Sequence, residues 1–109
     1  RDTLTNRVRS QMGSALATSG PVPTEKDIAD RLGISLSTLK RRLQSESTSY
    51  RAIRDSLLCT IALECLEMER YSIGALATRL GFADTGSFRH AFKRWTGQSP
   101  GHYMKKQSD

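Results

Sequence analysis

No stretch of this chain approaches the ~18–20 consecutive apolar residues that cross a bilayer. The longest apolar-rich segment, residues 56–68, is broken by Thr60, Glu64 and Glu67, which excludes a membrane helix. Aromatic residues make up only 6% of the chain. Nothing alternates with period two over a useful length, so no strand is expected. Cysteine is nearly absent. Cys59 and Cys65 stand six residues apart in a helical pattern, a rotation of ~600° that points the thiols in different directions. No disulfide is expected between them, and two thiols with two distant histidines fall short of a metal site. Both read as reduced, half-buried small hydrophobes. Catalytic frames are missing too: there is no Ser/His/Asp or Cys/His set, no phosphate-cradling loop and no paired acidic cluster near a histidine. Neither an enzyme nor a bound cofactor is expected. Arg1 comes first with no signal-peptide pattern behind it, and the expectation is a cytoplasmic fragment of something longer.

What the 109 residues do have is one domain's worth of chain, 37% hydrophobic, with a net charge of +6. The charge is unevenly placed. Residues 25–54 carry seven basic and four acidic groups, and residues 73–109 carry six and two. Between them, residues 55–72 hold one basic and four acidic groups. Two basic regions thus flank an acidic bridge.

The segment Ile28-Ala29-Asp30-Arg31-Leu32-Gly33-Ile34 recurs as Leu76-Ala77-Thr78-Arg79-Leu80-Gly81-Phe82. With one inserted residue, Leu39 then matches Phe88 and Leu43 matches Phe92; a second insertion brings Ser49 onto Ser99. Two copies do not make a solenoid; they indicate two similar subdomains. Each copy reads as a helix-turn-helix. Thr24 with Asp27 three positions on predicts a capping box. Ile28 and Leu32 face inward, Ala29 permits a close helix crossing, and Gly33 supplies the turn. Ile34 plugs the core, Ser35 caps the next helix, and Leu39 with Leu43 forms its buried stripe. Ser37, Thr38, Lys40, Arg41 and Arg42 are left outside. In the second copy Leu76 and Leu80 face inward, Ala77 is the small residue, Gly81 turns the chain and Phe82 is the plug. Asp84 is the expected cap, and Phe88, Phe92 and Trp95 form the stripe. Thr85, Gly86, Arg89, His90, Lys93 and Arg94 remain exposed.

Three more helices complete an all-α fold of about seven. Leu4, Val8, Met12 and Ala15 or Leu16 stripe a helix from Thr3 to Thr18, ended by Gly20-Pro21-Val22-Pro23. Tyr50, Ile53, Leu57, Ile61, Cys65 and Met68 stripe a long linking helix, with Glu64, Glu67 and Glu69 as its solvated face. Ser99 and Pro100 open a short last helix containing Tyr103. The expected organisation is a first helix-turn-helix subdomain at 1–49, the linking helix at 50–72 and a second subdomain at 73–109. A helix-turn-helix places its second helix in the major groove. Two in one chain must address grooves one duplex turn apart, ~34 Å, and a linking helix of ~30 Å is of that order.

The chain resembles the DNA-binding domain of AraC/XylS-type transcription regulators from about Thr3 to Lys105. The most specific part is Ile73-Gly74-Ala75-Leu76-Ala77, Gly81-Phe82, Phe88, Phe92-Lys93-Arg94 and Gly97-Gln98-Ser99-Pro100 with Tyr103. The first half departs from the pattern, with Leu43 where the family often has Phe and Ser47 where Gly is frequent.

The resemblance implies two recognition helices entering successive major grooves of double-stranded promoter DNA. It also implies an N-terminal effector or dimerisation domain ahead of Arg1, contact with RNA polymerase, and a nucleoid-associated, cytoplasmic regulator, with activator and repressor both left open. Carried over by position, the base-reading candidates are Ser37, Thr38, Lys40 and Arg41 in the first unit, and Thr85, Gly86, Arg89 and His90 in the second. Gly86 stands where the family often has a polar side chain. Ser35, Arg42, Lys93 and Arg94 are assigned to phosphate. Phe88, Phe92 and Trp95 are core rather than stacking platforms, and His102 packs or meets solvent. Arg31 and Arg79, at matching positions in the repeat, are expected in salt bridges to neighbouring acidic groups. The rival reading is a helical interaction module that contacts RNA polymerase or an anti-activator, with DNA binding secondary.

Overall fold

Seven helices in chain order account for nearly all of the regular structure in a computed structural model that describes residues 3–18, 21–68 and 71–108. They are α1 (Leu4–Ala17), α2 (Glu25–Leu32), α3 (Leu36–Ser45), α4 (Tyr50–Glu67), α5 (Ile73–Arg79), α6 (Thr85–Thr96) and α7 (Pro100–Ser108). No strand occurs among the described residues. Gly20 of the expected linker and Glu69 of the expected acidic face lie outside them. The chain divides into two compact units, Arg1–Leu57 and Leu58–Asp109.

The helix starts follow from local chemistry. The side chains of Thr3, Thr24, Ser35, Ser72 and Asp84 each accept a backbone N–H from the first turn they precede, satisfying donors that have no intrahelical partner. At α2 the capping box is complete: the Asp27 N–H donates to Thr24 Oγ1 at 3.1 Å, and the Thr24 N–H donates back to Asp27 Oδ2 at 3.0 Å. These bonds hold the Asp27 carboxyl below the usual carboxylate range. The two turns are copies of each other. Gly33 (φ 72) and Gly81 (φ 87) take the left-handed conformation. The following Ile34 and Phe82 donate back to Ala29 O and Ala77 O, at 3.1 and 3.0 Å.

In the first unit, Leu4, Val8 and Met12 of α1 pack with Ile28, Ala29, Leu39, Leu43, Tyr50 and Ile53. Leu32, Ile34 and Leu57 close its rim. The Tyr50 hydroxyl donates to the carbonyl of Pro23, which ties the start of α4 to the segment before α2. The second unit buries Leu76, Ala77, Leu80, Phe88, Ala91 and Phe92. Phe82 lies 5.5 Å from Phe88, and Tyr103 meets Phe92 edge-on at 5.4 Å. Trp95 joins this cluster from a half-buried position, 6.1 Å from Phe82.

The long helix corrects the sequence reading. Its first half buries Tyr50 and Ile53 as expected, but beyond Leu57 the buried residues are Leu58, Ala62 and Leu66. Ile61 and Cys65 are half-buried and Met68 is 56% exposed. A single 3.6-residue stripe presumes one core along the whole helix. The change of register coincides with the boundary between the two units at Leu57 and Leu58. Both cysteines are free and half-buried, and burial raises both thiols. The salt bridges expected of Arg31 and Arg79 are not found among the described residues. Arg31 favours the ionised form of Asp27 through its field, and half-buried Arg79, whose Nε has no hydrogen-bond partner, acts on Cys65 in the same sense against the larger effect of burial.

Candidate nucleic-acid interface

Burial of Leu39 and Leu43 fixes how α3 is rolled on the first unit. The residues between them in helical register are therefore turned outward. Ser35, Ser37, Lys40, Arg41 and Arg42 are exposed, and Thr38 is half-exposed. The Ser35 hydroxyl does double duty at the helix start. It accepts the Thr38 N–H at 3.1 Å and donates to Thr38 Oγ1 at 2.8 Å, with Ser37 Oγ 3.3 Å away. Three hydroxyls thus cluster where the helix dipole is positive, a terminus suited to an anionic oxygen.

The basic side chains differ in how they are held. Lys40 Nζ lies 4.0 Å from Glu25 Oε1, at the first residue of α2. That contact was not anticipated, because Glu25 and Lys40 are fifteen positions apart in the numbering and no local pattern links them. Arg41 enters no ion pair among the described residues. Arg42 lies near enough to Glu46 to favour that residue's ionised form.

In the second unit Phe88 and Phe92 play the part of Leu39 and Leu43. Asp84 replaces serine as cap and accepts the Ser87 N–H at 2.7 Å, which lowers its carboxyl from the ordinary value. His90 adds a smaller electrostatic effect in the same direction. Gly86, Arg89, His90, Lys93 and Arg94 are exposed, and Thr85 is half-exposed. Four of the candidates share one hollow: Gly86, Arg89, His90 and Lys93 line it together with Ser99. A Cβ at Gly86 would meet only Asp84 Oδ1, at an ordinary 3.5 Å. Steric need therefore does not explain that glycine. His102, as expected, is exposed and stands edge-on to Tyr103.

Residues 28–106 match the family described as a helix-turn-helix domain. The chain belongs to the AraC-type helix-turn-helix family. An HTH-type transcriptional regulator of Mycobacterium tuberculosis is 37% identical over 103 residues, 94% of this chain and 29% of that protein. The crystal structure of a DNA-binding transcriptional dual regulator from Escherichia coli superposes with a TM-score of 0.89 at 25% identity, over 99% of this chain and 95% of that one. The transcriptional regulator CdpR from Pseudomonas aeruginosa gives 0.80 at 38% identity, over 90% of this chain and 31% of that one. The chain thus spans under a third of the length of that Mycobacterium relative. Both units carry the helix-turn-helix frame of that family.

Proposed function

We propose that this chain binds double-stranded promoter DNA sequence-specifically, with α3 and α6 entering successive major grooves. The observation that carries this reading is the doubled frame. Two capped helices of matching register each bury a hydrophobic stripe and turn basic and hydroxyl side chains outward. Ser37, Thr38, Lys40 and Arg41 meet base edges in one groove; Thr85, Gly86, Arg89 and His90 do so in the next. Arginine reads guanine through O6 and N7. Ser35, Arg42, Lys93 and Arg94 serve phosphates, displacing counterions and making affinity fall with salt.

The organisation that goes with this is a first head at 1–49, a linking helix at 50–72 and a second head at 73–109. A further N-terminal effector or dimerisation domain, contact with RNA polymerase and a nucleoid-associated, cytoplasmic location complete the proposal. A gel-shift titration against promoter fragments and random duplexes at rising salt tests it. Tighter binding to a promoter fragment is expected, with affinity for both falling as salt rises. Equal affinity for promoter and random DNA would overturn the specificity.

A further inference from the structure

Leu36 is one of two large hydrophobic residues that stand exposed among the described residues, with 36% of its surface in solvent. It is the first residue of α3, directly after the Ser35 cap. The internal repeat gives this position a meaning. Ser35 and Asp84 are both N-caps, and Leu39 and Leu43 occupy the buried places of Phe88 and Phe92. Counted from the caps, Leu36 therefore stands where the second unit has Thr85, a base-reading candidate.

The chemistry at this position narrows what it can read. Residues at the start of a recognition helix are the ones presented to base edges. Leucine has no hydrogen-bonding atom beyond its backbone, so it cannot use the donor and acceptor code of the groove. The one apolar feature of the major-groove edge is the C5-methyl group of thymine. We infer that Leu36 is a specificity-determining residue that selects thymine at one position of the first half-site through its methyl group. This rests on the DNA-binding reading above, and it adds an apolar contact to a surface otherwise made of hydroxyls and cations.

The test uses duplexes that the chain itself selects from a random-sequence pool. Each thymine in the selected site is replaced in turn by deoxyuridine, which removes the methyl group and leaves the base pair intact. Wild-type binding should weaken about fourfold at one thymine, the cost of exposing one methyl-sized apolar group. Leu36→Ala should bind the thymine and uracil versions of that duplex equally. Leu36→Met keeps an apolar side chain of similar reach and should retain the discrimination. It also covers the case in which the alanine variant folds poorly, which circular dichroism reports. A role confined to packing would weaken every duplex alike and leave the thymine-to-uracil difference intact in Leu36→Ala; that result, or wild-type indifference to every replacement, overturns the inference. Failure to select any sequence from the pool would instead overturn the DNA-binding reading itself.

Discussion

Glu46 reaches back across the first unit to cap the start of α1: its carboxylate accepts the Thr5 N–H at 2.9 Å and the Thr5 hydroxyl as well. The Leu4 N–H donates to its other oxygen at 3.1 Å. One side chain at the end of α3 thus satisfies orphan donors of a helix some forty positions earlier. Charge at a helix N-terminus adds to the hydrogen bonds.

This arrangement makes stability depend on acid in a definite direction. The Thr5 hydroxyl and the backbone hold the Glu46 carboxyl below its ordinary value. A group whose folded pKa is depressed contributes stability above its unfolded pKa and loses it as pH falls through the folded value. Melting temperature should therefore drop between neutral pH and about pH 3, and drop less in Glu46→Gln, which is already less stable at neutral pH. Thermal denaturation followed by circular dichroism across that range checks it. An equal acid-induced drop in both proteins would show that the cap contributes nothing.

Ser47, just after that cap, is the one described non-glycine residue with positive φ, at 63°. Left-handed backbone costs an L-residue roughly 1–2 kcal/mol, and glycine returns part of that as unfolded-chain entropy. Ser47→Gly should stabilise the chain by about 0.5–1 kcal/mol in urea unfolding, and Ser47→Val should destabilise it. A destabilised glycine variant would contradict the conformation.

The register of α4 is open to a direct comparison. Leu58 has no exposed surface, whereas Ile61 is only half-buried. Leu58→Ala should cost about 2–5 kcal/mol, the usual range for a fully buried leucine, and Ile61→Ala clearly less. Denaturant midpoints of the two variants decide it; the reverse order would restore the stripe that periodicity alone suggests.

Arg41 and Arg42 are adjacent but should behave differently on DNA. Arg41→Ala should lose about 1–3 kcal/mol on a cognate site and little on random sequence. Arg42→Ala should weaken all duplexes alike and reduce the salt dependence by about one counterion. Titrations of both variants against both duplexes at several salt concentrations separate the roles. A base-specific loss with Arg42→Ala would reverse the assignment.

Much of this molecule was legible in its sequence because its signals are local. Caps at Thr24, Ser35 and Asp84, turns at Gly33 and Gly81, and stripes at Leu39, Leu43, Phe88 and Phe92 each act within one or two helical turns. The outward faces of α3 and α6 followed from those stripes. Contacts between residues distant in the chain were not legible. Glu46 with Thr5 and Glu25 with Lys40 both depend on how helices are brought together. The α4 register was misread for the same reason, since its helical period permits Leu57 or Leu58 and only packing chooses between them.

Helices α3 and α6 begin on different chemistry, a neutral hydroxyl from Ser35 and a carboxylate from Asp84. A hydroxyl cap does not titrate over the ordinary range of pH. A carboxylate whose folded pKa is depressed releases its grip once protonated. Only acid strong enough to pass below the ordinary aspartate value should therefore loosen the leading turn of α6 while that of α3 stays clamped, so that the two helices lose their starts one after the other rather than together.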